Sequence, residues 1–192
     1  PKGSKVLDMC SAPGGKALQL SSFGFDVVAV EKSAKRAARL RQNLERCKCH
    51  VDVRVQDATL VDDMFDGVLV DAPCSATGTA RRRPDILRKE LDLEALATTQ
   101  AALLDAAWRC LKPGGLLVFS SCSALTADAE ASFAAFLQRA ADAHVVEVTA
   151  PDFVDDACVV DGALRLWPWH VAGDVGGCDA HYAARARKGG PG

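Results

Sequence analysis

Residues 8–16 carry the sequence DMCSAPGGK, which begins inside a short apolar segment at residues 5–9. That segment has the length of a buried strand, and Gly14 and Gly15 predict a tight turn into a helix that ends near Phe23. Glycine permits close backbone approach, and the first turn of a helix offers free N–H groups to a ligand. The loop lacks both the GxxxxGK[ST] pattern of phosphate sites and the GxGxxG pattern of dinucleotide sites. The segment therefore predicts a strand–turn–helix unit that binds a ligand other than a phosphate group or a dinucleotide.

The rest of the chain continues this alternation of short apolar runs and helical stretches. Further strands are predicted at residues 26–30, 51–55, 65–70, 116–120, 145–148 and 181–187, and helices at about 33–46, 93–111 and 127–141. Residues 112–115, KPGG, predict a sharp stop after the third helix. Residues 152–177 have mixed polarity and are predicted to be mostly loop. The alternation predicts an α/β fold, a mostly parallel sheet with helices on both faces.

The composition limits the function classes. The chain has 192 residues, 49% of them apolar, which suits one domain with one core. Its net charge of −2 gives no global basic field, so a nucleic-acid partner would need a local patch. The eight cysteines do not form a disulfide framework, and no apolar run is long enough to span a membrane. We expect no membrane partner and an intracellular, reducing compartment, with nucleolus, mitochondrion and cytoplasm left open.

Two acidic residues at predicted strand ends indicate the ligand. Glu31 ends the second strand, where a carboxylate can accept hydrogen bonds from the two hydroxyls of a ribose. Asp57 ends the third strand and could accept from an adenine amino group. Without a phosphate-binding pattern, these acids favour a nucleoside without phosphate, such as S-adenosylmethionine. The alternative is that both acids cap helices or face solvent.

Two cysteine-containing loops follow the fourth and fifth predicted strands. The sequence DAPCSATG occupies residues 71–78 and SSCS occupies residues 120–123. Loops at the carboxyl ends of adjacent parallel strands face one crevice. We therefore expect Asp71, Cys74 and Cys122 to meet beside the ligand.

These motifs resemble those of the RsmB/Nop2/Sun-type RNA cytosine-C5 methyltransferases. The matching segments occur in the family's order, from about residue 1 to residue 137, with a thinner match near 164–187. They are DMCSAPGGK (8–16), DAPCSATG (71–78), RRRPD (81–85), LKPGG (111–115) and SSCS (120–123). The resemblance implies a Rossmann-like class I S-adenosylmethionine-dependent methyltransferase with a seven-stranded sheet whose last strand is antiparallel.

The resemblance also assigns roles to individual residues. It implies that Cys122 is the nucleophile, that Cys74 assists breakdown of the covalent adduct, and that Asp71 holds the cytosine near the methionine end of the cofactor. A thiolate that adds to carbon 6 makes carbon 5 of the cytosine nucleophilic, and a base must later remove the carbon-5 proton. The implied cofactor-binding residues are Cys10, Ser11, Ala12, Pro13, Gly14, Gly15, Lys16, Glu31, Asp57 and Asp71.

The predicted partner is RNA, with ribosomal RNA favoured over transfer RNA. Arg81, Arg82 and Arg83 are expected to contact phosphates, although such a run is often only a solvated surface, and Lys16 is a further candidate. Ribosomal proteins, assembly factors or a partner subunit could present the RNA. We expect the catalytic domain to span residues 1–188 with a frayed tail at 189–192, and the family's upstream RNA-binding portion to be absent from this chain.

The sequence departs from the family pattern at two places. Ala76 replaces a glycine, which would cost roughly 1 kcal/mol or more at a positive φ. Residues 179–182, DAHY, replace the usual Asp-Gly-Phe-Phe. These changes keep open a second hypothesis, a methyltransferase-like ribosome assembly factor with reduced or no catalysis. A small-molecule or protein methyltransferase is a third, which the two-cysteine pattern disfavours.

The remaining cysteines and aromatic residues favour structural roles. Cys47, Cys49 and His50 lack a second ligand pair, as do Cys178 and His181, so no metal site is expected. Trp167 and Trp169 are expected to pack under the C-terminal loop rather than to stack on RNA.

Overall fold

The computed structural model describes residues 2–150, 154–170 and 177–190. These residues form two compact units, the first from Pro1–Asp71, Ala102–Leu117 and Lys188–Gly192, the second from Ala72–Ala101 and Val118–Arg187. The strands are β1 (Lys5–Asp8), β2 (Asp26–Val30), β3 (Asp52–Arg54), β4 (Phe65–Asp71), β5 (Leu111–Ser121), β6 (Ala143–Val145), β7 (Val159–Val160), β8 (Ala163–Leu166) and β9 (His181–Lys188). The α-helices are α1 (Gly15–Ser22), α2 (Ala34–Arg46), α3 (Leu93–Cys110) and α4 (Glu130–Arg139).

The first unit is a parallel sheet in the order β3-β2-β1-β4. Its strands are short apolar runs whose buried side chains pack against α1 and α2. Ser33 caps α2, with its side-chain oxygen 3.4 Å from the backbone N of Arg36, as expected for a serine ahead of an amphipathic helix. The core on this side of the sheet contains Ala12, Ala17, Val27, Ala29, Leu40 and Leu44. Parallel pairing brings the carboxyl ends of β1, β2 and β4 to one edge, where Asp8, Glu31 and Asp71 lie.

The second unit begins where β5 continues past Leu117, and its strands follow in the order β5-β9-β8-β7, with β6 also pairing with β9. Strands β7, β8 and β9 pair antiparallel. Aromatic rings form the core, with Phe119 stacked on Phe133 at a centroid distance of 5.9 Å and Phe133 near Phe136 at 5.8 Å. Tyr182 packs edge-on against Phe119 at 6.2 Å. Packed aromatic rings bury a large apolar area and hold β5, β9 and α4 together.

The predicted α/β architecture, a mostly parallel sheet with helices on both faces, is confirmed. The predicted number of seven strands is wrong, because nine are present over the described residues. The additional pair is the β7–β8 hairpin, which lies inside the segment predicted to be mostly loop. Its two-residue turn is Asp161-Gly162, with φ angles of 51° and 76°. Asp-Gly is a preferred pair for a tight hairpin turn, so the sequence did contain the signal.

Smaller differences concern element boundaries. Helix α3 ends at Cys110, but β5 begins directly at Leu111, with Gly114 adopting a φ of 77° inside it. Helix α4 starts at Glu130 because residues 126–128 form a 3-10 turn. Gly189 and Gly190 belong to no helix or strand, and the predicted frayed tail otherwise lies outside the described residues. Among the helices described, none is long and apolar enough to cross a membrane.

Candidate active site

The glycine turn after β1 is held in place by its neighbours. Gly14 adopts a φ of 109° at the start of α1, and a Cβ there would lie 2.6 Å from Leu40 Cδ1. The backbone N of Ser11 donates to Val30 O at 3.0 Å. No side chain caps the N-terminus of α1, so its first amide groups are suited to a ligand. The turn therefore needs glycine at residue 14 for both conformation and space.

Helix α2 holds the same loop and orients Glu31. Arg36 donates to Ala12 O at 2.8 Å, and Asn43 donates to Pro13 O at 2.8 Å. Glu31 is buried, with Oε1 accepting from the backbone N of Ser33 at 2.8 Å and Oε2 lying 3.4 Å from Arg36. The carboxylate is thus fixed at the end of β2, and each oxygen keeps lone-pair capacity for a hydroxyl donor.

Asp57 lies three residues beyond β3 rather than at its end, where it caps the 3-10 turn at Ala58–Leu60. Its carboxylate accepts from Thr59 N at 3.0 Å, Thr59 Oγ1 at 2.8 Å and Lys32 Nζ at 2.8 Å. The hydrogen bond from Lys32 is the main reason why the pKa of Asp57 falls to about 2. These contacts fit the capping alternative, and the adenine contact stays a prediction.

Three carboxylates surround the loop after β1. Asp8 is the last residue of β1 and is buried, and neither carboxylate oxygen has a hydrogen-bond partner among the described residues. Burial is the main cause that raises the pKa of Asp8 to about 6. Burial, reinforced by repulsion from Asp8, Glu31 and Asp71, raises the pKa of Cys10 to about 12. The loop is therefore an acidic environment, and Cys10 does not form a thiolate at neutral pH.

Lys16 and Asp71 form an ion pair at this edge of the first unit. Lys16 Nζ lies 2.8 Å from Asp71 Oδ2, and both side chains are about one-third exposed. Lys16 is a helix-start residue of α1 and Asp71 is the last residue of β4. Asp8 was missed by sequence reasoning, although an acid that ends a buried strand beside a glycine turn was a signal that could have identified it.

The second unit brings the two predicted thiols together. Cys74 Sγ and Cys122 Sγ lie 3.5 Å apart, and both residues are partly exposed. The hydrogen bond from Cys122 is the largest of the effects that lower the pKa of Cys74 to about 6, with Ser121 and the backbone of Ala76 contributing. The hydrogen bond from Cys122 therefore favours the thiolate form of Cys74.

A buried hydroxyl cluster holds the two cysteine loops in register. Ser75 and Ser123, the residues after the two cysteines, bond through their hydroxyls at 2.9 Å. Thr77 Oγ1 lies 3.0 Å from Ser75 Oγ and 3.3 Å from Ser123 Oγ. Gly78 N donates to Cys122 O at 2.9 Å, and a Cβ on Gly78 would lie 2.5 Å from that oxygen. The thiol positions are thus fixed by bonds between the neighbouring residues.

Asp128 and Gln100 support this cluster from α3 and the turn before α4. Asp128 Oδ2 accepts from the backbone N of Ser75 at 2.6 Å, and Oδ1 accepts from Gln100 Nε2 at 2.8 Å. Gln100 is fully buried and also donates to Pro73 O at 2.9 Å. Arg165, from β8, donates to Ser123 O at 2.8 Å and lies 3.0 Å from Glu130. Sequence reasoning missed all of these residues because no motif marks them.

The arginine run lies next to the cysteine loops within the second unit. Arg82 is ion-paired with Asp179 and Arg83 lies 3.4 Å from Asp85. Arg81 is 3.8 Å from Asp179. All three arginines are exposed. Their proposed phosphate contacts stay a prediction, and an incoming phosphate would compete with these carboxylates.

Comparison with known proteins identifies the family. The family model for the 16S rRNA methyltransferase RsmB/F matches residues 1–184. The chain belongs to the RsmB/F methyltransferase family. It is 38% identical to ribosomal RNA small subunit methyltransferase B of Shewanella oneidensis, over 95% of this chain and 42% of that protein. The protein of the same name from Yersinia enterocolitica is 42% identical over 76% of this chain and 36% of its own length.

Solved structures give the same result. NSun6 from Pyrococcus horikoshii, in a crystal structure with SFG, has a TM-score of 0.79 and 26% identity, covering 98% of this chain and 49% of that chain. A structure named PH0851 has a TM-score of 0.83 and 26% identity, covering 97% of this chain and 43% of that chain. This chain spans about two-fifths of the length of the two curated relatives described above. The predicted family and the S-adenosylmethionine cofactor class are confirmed.

Two predictions about other groups can also be compared with the structure. The described residues contain no group of three or more His, Cys, Asp or Glu side chains able to hold a metal ion. Trp169 is 71% exposed, so its predicted packing under the C-terminal loop is wrong. Trp167 is partly buried and stacks on Trp169.

Proposed function

We propose that this protein transfers a methyl group from S-adenosylmethionine to carbon 5 of a cytosine in small-subunit ribosomal RNA, through a covalent Cys122 adduct at carbon 6. The thiol pair carries the proposal, because two sulfur atoms 3.5 Å apart can supply the nucleophile for the addition and the base for the later proton removal. The names of the relatives support ribosomal RNA as the substrate class.

The loop after β1 fits S-adenosylmethionine on chemical grounds. The ligand carries a cationic sulfonium and an ammonium group, and Asp8, Glu31 and Asp71 create the acidic environment that favours positive charge. Asp8 has two buried oxygens without partners, and an ammonium group or an ordered water could satisfy them. Glu31 would accept from the ribose hydroxyls, while residues 10–16 would border the methionine part. The bound cofactor supplies an electrophilic methyl group.

The remaining steps belong to the side chains of the protein. Cys122, as the thiolate, adds to carbon 6; the S–C6 bond forms and the C5=C6 π pair moves to carbon 5. The Cys122 proton passes to Cys74 across the 3.5 Å sulfur contact, which leaves Cys122 as the attacking thiolate. Asp71 would hold the N3 and amino edge of the cytosine, where negative charge develops. After carbon 5 has been methylated, a base removes its proton, the double bond re-forms and the S–C6 bond breaks.

Cys74 is suited to that last step because its acidity depends on Cys122. In the free enzyme the Cys122 thiol is the largest influence that lowers the pKa of Cys74. Once Cys122 is a thioether, that hydrogen-bond donor is gone and the pKa of Cys74 rises. Cys74 must lose its proton to solvent before it can act, and the fraction present as thiolate is then a stronger base than before, able to accept the carbon-5 proton.

Trapping on modified RNA tests this proposal. Wild-type protein with S-adenosylmethionine should form a covalent complex with small-subunit ribosomal RNA that contains 5-azacytosine, and peptide mapping should locate the bond at Cys122. Cys122→Ala should abolish trapping. Cys74→Ala should accumulate an adduct on unmodified RNA, because release is blocked. Cys47→Ala, which removes an exposed thiol outside both loops, is the matched control and should behave as wild type. An adduct that persists in Cys122→Ala protein would refute the assignment.

A second candidate function, a ribosome assembly factor with reduced catalysis, is favoured by Ala76. This residue replaces the family's glycine and adopts a φ of 57° inside the first cysteine loop, two residues after Cys74. Under this alternative the protein binds S-adenosylmethionine and RNA but neither methylates nor traps.

We further propose that the protein works in a reducing intracellular compartment, since all eight cysteines are free thiols. Ribosomal proteins, assembly factors or a partner subunit that presents the RNA remain proposals.

A further inference from the structure

The segment after β8 presents an unusual aromatic arrangement. Trp167 and Trp169 stack with an interplanar angle of 2° and a centroid distance of 5.3 Å. The guanidinium of Arg165 lies over the Trp167 ring, 4.3 Å from its centroid, so Trp167 contacts both a cation and a second aromatic ring. Arg165 is buried, Trp167 is partly buried, and Trp169 is 71% exposed. The stack, which we call the tryptophan step, thus begins in the core and ends in an exposed aromatic ring.

A basic loop lies beside the tryptophan step. Residues 81–89 carry five cationic side chains and one acid, and all six are exposed, whereas the chain as a whole has a net charge of −2. Acidic residues resume at Glu90, on the way to α3. This stretch is a local patch of the kind that a chain with no global basic field needs for a polyanion.

Residues 177–180 join the tryptophan step to the basic loop. Gly177 adopts a φ of 74°, and a Cβ there would lie 3.2 Å from Pro168 O and 3.6 Å from Arg81 Cδ. Cys178 Sγ donates to Trp167 O at 3.0 Å, and Asp179 is ion-paired with Arg82. The two features therefore form one continuous surface.

The same segment connects this surface to the thiol pair. Ala180 N donates to Gly78 O at 3.0 Å, and Gly78 N donates to Cys122 O at 2.9 Å. Cys122 also acts electrostatically on Arg82, where it adds to the increase in pKa caused mainly by Asp179. An RNA strand whose cytosine reaches the thiols would have neighbouring nucleotides close to this surface.

We propose that the exposed face of Trp169 stacks on an unpaired RNA base that flanks the target cytosine, while residues of the basic loop contact the adjoining phosphates. The proposal rests on the proposed function for its substrate class. An exposed aromatic ring beside cationic side chains is the usual means of holding single-stranded RNA, because every base has a face that can stack. Arg81 and Arg82 would exchange Asp179 for phosphate oxygens, since the carboxylate occupies the position of an anion.

Binding to unmodified, unpaired RNA tests the inference without requiring turnover. Titration of the protein with a single-stranded fragment of small-subunit ribosomal RNA should quench tryptophan fluorescence. Trp169→Ala should weaken binding by roughly 5- to 150-fold, the range typical of one stacked base, and raise the KM for RNA while kcat at saturating RNA is retained. Trp169→Phe should restore most of the affinity. Arg81→Gln should lower the slope of log Kd against log salt by about 0.7 for each lost phosphate contact.

The controls separate this inference from the proposed function. Phe23→Ala removes a ring that is 61% exposed in the first unit and should leave RNA affinity unchanged. Iodoacetamide reactivity of Cys74 should be the same in Trp169→Ala and wild-type protein, which shows that the thiol loops are intact. If wild-type protein binds RNA and Trp169→Ala binds it equally well, the stacking site is refuted, including the case in which Trp169 contacts a protein instead. If binding depends on Trp169 but no adduct forms, only the methylation mechanism fails.

Discussion

Replacing Ala76 with glycine should stabilise the protein. Ala76 adopts φ 57° and ψ 20°, a left-handed conformation that costs a residue with a Cβ roughly 1–2 kcal/mol. Glycine removes that cost but adds roughly 0.4–1 kcal/mol of conformational entropy to the unfolded chain. The expected net gain is therefore about 0.8 kcal/mol. The unfolding entropy for a chain of this length is about 0.4 kcal/mol/K, so Tm should rise by about 2 °C.

The assay is thermal unfolding of Ala76→Gly beside a matched control. Ala38 is exposed within α2, where glycine costs about 1 kcal/mol, so Ala38→Gly should lower Tm by an amount similar to the expected rise. The hydrogen bonds from Thr79 N and Oγ1 to Ala76 O, at 3.0 and 2.8 Å, do not involve the Ala76 side chain and should remain. A fall in Tm for Ala76→Gly would show that the loop is not strained and would remove the structural basis for reduced catalysis.

Two further predictions follow from shifted pKa values. Iodoacetamide should alkylate Cys74 with a midpoint near pH 6, and Cys122→Ala should raise this midpoint because it removes the main hydrogen-bond donor. An unchanged midpoint would contradict the hydrogen bond from Cys122 to Cys74. Asp8→Asn should raise the unfolding free energy by up to about 3 kcal/mol above pH 6 in denaturant titrations, with no gain at pH 4. The carboxyl group has a raised pKa of about 6, so its ionised form destabilises the fold as pH increases from about 4 to 6; a gain of equal size at pH 4 would exclude charge burial as the cause.

The sequence was sufficient for the elements whose signals are local. Strands β1, β2 and β4 are apolar runs followed by polar loops, and Ser33 marks the start of α2. The β7–β8 hairpin was missed because β7 has only two residues, too short for a periodic pattern. Its Asp161-Gly162 turn was a usable signal, but it stood in a segment of mixed polarity. Short antiparallel strands are stabilised by their partners, here β9, which is distant in sequence.

For the candidate site, motifs predicted the residues but not their surroundings. Cys74 and Cys122 occur in recognisable loops, and the pairing of loops at strand ends predicted their proximity. The motif around Asp8 was not sufficient to predict its raised pKa. That pKa depends on burial and on neighbours from β4 and α1, which the motif does not contain. The exposure of Trp169 was likewise mispredicted, because aromatic residues in a loop pack or project according to tertiary contacts such as the Arg165 stack.

The buried polar cluster behind the thiols explains how a loop pair can hold two sulfur atoms at contact distance. Each cysteine is followed by a serine, and the Ser75–Ser123 hydroxyl bond of 2.9 Å runs beside the 3.5 Å sulfur contact. Burying a polar group such as Asp128 costs free energy that burying an apolar residue would not. Hydrogen bonds offset this cost only when every partner is in place. Hydrogen bonds are directional whereas apolar packing is not. The cluster therefore restricts the positions of the two sulfur atoms more than an apolar core could. We infer that this part of the second unit is built for the position of the sulfur atoms at the expense of stability.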